Sequence, residues 1–230
     1  EYNALNNKNH ISEEPKKYRS LFPSQNQIIQ LGLNKGKNEI CFACKTTLSG
    51  VQTIKAYIYL WPRDIKIVLV DIDGTITRSD ILGVILPMFG KNWLHDGVIE
   101  LMDKIHKNGY KLVYLTARAI FQSDKTQKFL GGIEENVVKL PEGPIIMDPD
   151  GVFSSFRKGI IHRTNYYIKI LSLIELNNLF SDENLHFYAG FGNKEGDAIA
   201  YRYLKIPLHN IYIINAMSKI CPFNENEHKT

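Results

Sequence analysis

The chain has 230 residues, a formal net charge of +4 and a pI near 8.8, so at roughly 100–200 residues per domain it holds one full domain and part of a second. A hydrophobic fraction of 44% is enough for a sizeable core and excludes global disorder. The basic excess is mild and does not suggest a DNA binder, which calls for a clustered basic face, so no nucleic-acid partner is expected; it would suit an anionic substrate or an acidic membrane surface.

Residues 1–21 are rich in Asn, Lys and Glu and read as a disordered arm. Ile28, Ile29, Leu31 and Leu33 then mark one or two helical turns. Glu39–Thr47 and Val51–Trp61 look extended, and Ser49-Gly50 between them completes a hairpin signature. Two strands alone are marginal in water, so this segment, 22–62, needs a partner surface. Cys41 and Cys44 form a CxxC inside the first strand, with no second ligand pair at zinc spacing. With Cys221 they make an odd, low count that argues for strand packing over a disulfide framework, metal or redox site.

From Ile65 the pattern changes. Ile65–Val70 is a short apolar run, as expected of a strand buried on both faces. Trp93–Asn108 has apolar residues at helical spacing, with Gly109 where a helix would stop. Tyr110–Leu115 reads as a strand, Ser123–Leu130 as a helix, and Pro144–Met147 as a strand closed by the turn Asp148-Pro149-Asp150-Gly151. Tyr166–Phe180 reads as a helix, Phe187–Phe191 as a strand, Glu195–Leu204 as a helix and Ile211–Ile214 as a strand. Short buried strands alternating with helices predict an α/β parallel sheet over residues 63–220, covered on both faces, with every strand C-terminus on one ligand-binding edge. Residues 221–230 read as a loose tail. No run reaches the roughly 18–20 apolar residues of a spanning helix, and no apolar leader is evident, so a soluble chain at most peripheral to a membrane is expected.

The chemistry gathers at that edge. Asp71 and Asp73 stand at the end of the first buried strand, in Asp71-Ile72-Asp73-Gly74-Thr75. At i and i+2 on a strand the two carboxylates point the same way, and their repulsion calls for a cation or a shared proton. Mg²⁺ takes oxygen ligands of this kind together with substrate phosphate. Gly74 permits a sharp turn and Thr75 adds a hydroxyl. Thr116 ends the second strand, in Leu115-Thr116-Ala117-Arg118, as a phosphoryl donor or a helix N-cap. Asn193 and Asp197 follow the fourth strand and are able to complete a metal shell or to cap a helix. Lys169, within an otherwise apolar helix, either neutralises phosphoryl charge or snorkels to solvent.

The order of these signals resembles the haloacid dehalogenase superfamily of phosphotransferases. Within it the chain resembles the catalytic C-terminal half of the lipin family, Mg²⁺-dependent phosphatidate phosphatases. The matching stretches are Ala56 to Trp61, Asp71 to Asp80, Leu82 to Pro87, Thr116 to Ala119 and Phe191 to Asn193, with the spacing from Phe153 through Lys169 to Phe180; together they span about residues 22–218. The resemblance implies a nucleophilic Asp71 that becomes an aspartyl-phosphate and an acid–base Asp73. It implies Mg²⁺ held by Asp71, the Asp73 carbonyl, Asn193 and Asp197. It implies phosphoryl contacts from Thr75, Thr116, Arg118 and Lys169. It also implies a partial immunoglobulin-like sandwich before residue 62, completed by an N-terminal lipin segment, and a peripheral location at the endoplasmic reticulum or nuclear membrane, or in the nucleus. Leu82 to Leu86 matches the LxxIL pattern linked to coactivation in some lipins, although core packing explains the same residues.

Loop lengths add an inference of their own. Core elements account for the sequence between Thr75 and Thr116 and between Arg118 and Lys169, which leaves no inserted cap domain. A site without a lid suits a phosphate presented on a surface. Phosphatidate hydrolysis is therefore the leading expectation. A protein phosphatase of the same superfamily, a non-catalytic phosphatidate-binding domain and a transferase to another acceptor stand beside it.

Overall fold

The computed structural model describes residues 23–78, 93–148, 164–180 and 186–224, with the backbone alone for 164–168. The expected polar arm, the run Leu82 to Leu86, Phe153, the turn after Asp148 and the end of the tail lie outside these residues. The chain divides into two compact units, Glu1–Leu60 and Trp61–Thr230.

In the first unit, α1 (Gln25–Gln30) starts at a capping box. The Gln27 amide donates to Ser24 Oγ at 3.3 Å and the Ser24 amide donates to Gln27 Oε1 at 2.7 Å, which satisfies two of the helix's orphan donors. The expected hairpin follows as β1 (Gly36–Thr46) and β2 (Gly50–Leu60), paired antiparallel from Gly36↔Leu60 to Thr46↔Gly50. The register sets Phe42 opposite Ile54 on the same face as Ile40 and Ala56, yet Phe42 and Ile54 are 59% and 66% exposed. Cys41 and Cys44 lie on β1 as expected. They do not pack, however: three positions apart on a strand they fall on opposite faces, and both are exposed.

The second unit is built on β3 (Ile67–Asp71), α2 (Val98–Lys107), β4 (Lys111–Ala119), α3 (Ser123–Gly131), the two-residue strands β5 (Glu134–Glu135) and β6 (Val138–Lys139), and β7 (Ile145–Asp148). Next come α4 (Thr164–Asn177), β8 (Phe187–Gly192), α5 (Glu195–Tyr203), β9 (Ile211–Ile214) and β10 (Ile220–Pro222). A six-stranded sheet runs in the order β10-β9-β8-β3-β4-β7. All neighbours are parallel except β10, which runs antiparallel to β9. The parallel strands therefore end on one edge, as the βα alternation predicts.

The alternation of side chains along a strand builds two cores. Val68 and Val70 of β3 join Leu112 and Tyr114 of β4, Ile99 and Met102 of α2, and Leu130 of α3 on one face. Ile67 and Leu69 join Val113 and Leu115, Leu173 of α4, and Ala198 and Tyr201 of α5 on the other. At roughly 1.5–3 kcal/mol per fully buried large apolar side chain, these two layers hold the sheet edge in place.

Beyond small shifts at several element ends, four features depart from expectation. The helix expected from Trp93 starts at Val98, because Leu94 pairs with Thr77 in an isolated bridge and Gly97 sits at φ +72°. β4 runs on to Ala119, paired with Asp148, so Thr116 lies inside a strand and is not a helix cap. A small hairpin, β5–β6, follows α3. The tail is not loose at its start: Ile220 to Pro222 pair with β9 and Phe223 is buried. Its apolar residues cover the sheet flank that β9 would otherwise expose.

Candidate active site

Asp71 is the last residue of β3 and shares the side-chain parity of Ile67 and Leu69, so it faces the α4–α5 layer. It is 3% exposed there. Lys169 of α4 donates to Asp71 Oδ1 at 2.6 Å and to Asp197 Oδ1 at 2.5 Å. Thr75 Oγ1 donates to the remaining oxygen, Oδ2, at 3.1 Å. Asp197, in the first turn of α5, turns its Oδ2 back to the amides of Asn193 and Lys194, both at 3.1 Å. The space for Asp197 exists because residue 192 is glycine: a Cβ there would lie 2.5 Å from Asp197 Cβ.

Asp73 belongs to a second cluster. β3 has ended, and Asp73 lies in the following turn, so the expectation that the two carboxylates point the same way along one strand does not hold. Thr116 Oγ1 donates to Asp73 Oδ2 at 2.7 Å and Arg118 Nη2 donates to Oδ1 at 2.6 Å. Thr116 and Arg118 lie where the register of β4 against β7 shifts, between Leu115 and Ala119, and the Arg118 amide donates to Thr116 Oγ1 at 3.1 Å, so the two side chains meet at Asp73. Arg118 also lies over the Phe129 ring of α3, 5.0 Å from its centroid, and its Nε and Nη1 have no hydrogen-bond partner. Thr116 and Lys169, one residue from each cluster, nonetheless line one cleft together with Ala117 and Asp148.

The turn between the clusters is held by residues that sequence reasoning missed. Gly74 sits at φ +91°, a conformation an L side chain rarely adopts. Its amide donates to Thr77 Oγ1 at 3.2 Å and its carbonyl meets His95 Nε2 at 3.2 Å. His95 Nδ1 meets Ser218 Oγ at 3.0 Å, on the turn between β9 and β10. Burial holds the His95 pKa below the ordinary imidazole value. The signal available beforehand was Gly97, two residues on, which breaks the helix that His95 otherwise joins.

Three buried carboxylates, Asp71, Asp73 and Asp197, face two cations, Arg118 and Lys169, so negative charge is in excess. Burial pushes the Asp71 carboxyl up to about 7. Lys169 pulls against that shift, while Asp197 and Asp73 add to it. Burial works to discharge the Lys169 ammonium, but Asp71 and Asp197 outweigh it and raise its pKa above the ordinary lysine value. Among the described residues no three His, Cys, Asp or Glu side chains converge as a closed metal cage. An excess of buried carboxylate with an incomplete oxygen shell fits Mg²⁺, which keeps positions for water and phosphate. Among the described residues no helix is long and apolar enough to cross a membrane.

A family model described as LNS2 (Lipin/Ned1/Smp2) matches residues 19–230. The chain belongs to this lipin family. It is 41% identical over 211 residues to phosphatidate phosphatase PAH1 of Arabidopsis thaliana, covering 92% of this chain and 23% of that protein. It is 40% identical over 212 residues to phosphatidate phosphatase LPIN3 of Homo sapiens, with 92% and 25% covered. To phosphatidic acid phosphohydrolase 1 of Saccharomyces cerevisiae it is 36% identical over 219 residues, with 90% and 25% covered. The chain thus spans about a quarter of the length of the curated relatives it matches. In this lipin-family chain Asp71, Thr75, Lys169 and Asp197 meet in one cluster, and Asp73, Thr116 and Arg118 in the other. Asn193 joins the first through its backbone.

Proposed function

We propose that the chain carries the catalytic site of a Mg²⁺-dependent phosphatidate phosphatase that works through an aspartyl-phosphate at Asp71. The single observation that carries this reading is the cluster of Asp71, Lys169 and Asp197 at the C-terminal edge of a parallel sheet, in a chain of the lipin family. A buried carboxylate held by one ammonium, with its charge incompletely offset, is poised to bond to phosphorus once further positive charge arrives.

In the first step an Asp71 oxygen bonds to phosphorus while the bond from phosphorus to the glycerol oxygen breaks. Asp73, which takes up a proton from solvent when the phosphoryl group draws Thr116 and Arg118 away from it, gives that proton to the leaving oxygen, and diacylglycerol departs. In the second step water attacks the phosphorus, Asp73 takes the water's proton, and the bond from Asp71 to phosphorus breaks to release phosphate. Lys169 and Thr116, which line one cleft, hold the phosphoryl oxygens. Arg118, paired with Asp73, adds positive charge to that side of the site. Asp71, the Asp73 carbonyl, Asn193 and Asp197 would hold Mg²⁺, which when bound supplies charge that offsets the phosphoryl group.

Two observations support a membrane surface as the place of the substrate. Between β3 and β4 the described residues hold one helix, and between β4 and β7 only short helices and the β5–β6 hairpin, so no lid domain is built from them. Ile120 and Phe121, directly after the end of β4, are 55% and 74% exposed, and Met217 after β9 is 72% exposed, so apolar side chains stand on the edge that carries the site. The reading places the protein peripherally on phosphatidate-containing membranes. The exposed Phe42–Ile54 pair on the hairpin supports a further lipin segment as its cover.

The test compares phosphate release from phosphatidate in vesicles, from a phosphopeptide and from a small soluble ester, with and without Mg²⁺. The reading predicts Mg²⁺-dependent release that is fastest on vesicles. Equal rates on the soluble ester, or preference for the phosphopeptide, would replace the lipid by another substrate. Binding to phosphatidate without release would leave a binding domain.

A further inference from the structure

We infer that His95 is a positioning residue: it sets the orientation of the Asp73–Gly74 turn, and Ser218 on the distant β9–β10 turn sets the orientation of His95. This rests on the reading of Asp73 as the acid–base group.

His95 is 1% exposed, and both ring nitrogens have partners. The Gly74 carbonyl only accepts, so His95 Nε2 carries the hydrogen. In the neutral ring Nδ1 then accepts, and the hydroxyl of Ser218 donates to it. The Ser218 oxygen is fixed in turn by the Asp96 amide, which donates to it at 3.3 Å. One tautomer therefore satisfies every group along the path from the β9–β10 turn to the loop.

Gly74 is thereby held from both sides. Its N–H is bound by Thr77 and its C=O by His95. Peptide groups are planar and trans, so the Asp73 carbonyl points opposite to the Gly74 N–H, away from Thr77. Fixing both peptides that flank Gly74 fixes the direction in which Asp73 leaves the backbone. Gly74 is the residue with the greatest freedom in the turn, at φ +91°, and is the one that these contacts restrain. A histidine that only filled space would not need a hydroxyl to select its tautomer. Ser218 itself sits at φ +60°, a backbone state that favours glycine, so the hydroxyl is kept there against local preference.

Three variants separate positioning from stability. His95→Gln keeps a donor at the Nε2 position toward Gly74. His95→Asn keeps a polar group toward Ser218 and loses the reach to Gly74. Ser218→Gly suits the positive φ but removes the hydroxyl. Phosphate release, the thermal midpoint and the ¹⁵N shifts of the imidazole are measured for each. The inference expects His95→Asn to lower kcat by about ten- to a hundredfold with KM nearly unchanged, a scale typical of misplaced catalytic groups, while His95→Gln retains most of the rate. Ser218→Gly should not lower the thermal midpoint, yet should lower kcat and shift the ring from the Nε2–H form to a tautomer mixture. Equal loss in His95→Gln and His95→Asn, or a wild-type ring protonated on Nδ1, overturns the inference. Wild type that hydrolyses soluble esters but not phosphatidate overturns the substrate and leaves the variant comparison intact. Wild type that hydrolyses nothing overturns both.

Discussion

Lys169 reaches from α4 to Asp71 at the end of β3, closes a 2.6 Å ion pair with Oδ1, and on its other side holds Asp197. One ammonium thus serves two buried carboxylates. Removing one partner of a buried ion pair typically costs about 3–5 kcal/mol. Lys169→Met is expected to lose stability on that scale in chemical denaturation at pH 8 without Mg²⁺, and to lose phosphate release altogether. A variant as stable as wild type would show that the pair carries no net burial penalty.

The pH dependence of the metal-free protein follows from Asp71. Its folded pKa is about 7, above the ordinary value of 3.8. Between those values the folded state keeps a proton that the unfolded state has released. This contribution to stability is therefore complete below about pH 4 and is lost as pH rises through 7. Asp71→Asn has no such loss. The thermal midpoint of Asp71→Asn relative to wild type should rise between pH 5 and pH 8, and a constant difference would contradict the burial account.

Gly192 is a steric prediction. Gly192→Ala places a Cβ 2.5 Å from Asp197 Cβ, which has no free direction because its Oδ2 is bound to two backbone amides. The variant should need at least about tenfold more Mg²⁺ for half-maximal phosphate release, on the scale of lost metal-site support. An unchanged Mg²⁺ titration would remove Asp197 from the metal shell.

Asp73 should matter most when the leaving oxygen is basic. Asp73→Asn is expected to slow release from an alkyl phosphate by at least about a hundredfold, within the usual range of acid–base catalysis, and from a nitrophenyl phosphate by much less. Equal losses on both esters would assign Asp73 to holding the turn.

The sheet was legible because its strands are short apolar runs between amphipathic helices. Asp71 was legible because it ends the first of those runs. The division of the site into two clusters was not. The polar Thr116 marks the end of an apolar run, but backbone pairing resumes at Ala119 after an irregularity that brings residues 116 and 118 together at Asp73, and no periodicity announces such an irregularity. Asp73 was placed beside Asp71 by strand periodicity, which ceases to apply once the chain turns at Gly74. His95 and Ser218 were invisible because their hydrogen bond joins positions 123 residues apart. Only the packed sheet edge brings them together.

The central claim is that Asp71 becomes covalently phosphorylated. Acid quenching during turnover of phosphatidate with Mg²⁺, followed by mass spectrometry of the peptide containing Asp71, tests it directly. The account predicts a phosphoryl group on Asp71 in wild type, its accumulation in a variant of Asp73 that fails to activate water, and its absence in Asp71→Asn. Turnover at the wild-type rate by Asp71→Asn, or a phosphoryl group on another residue, would contradict it.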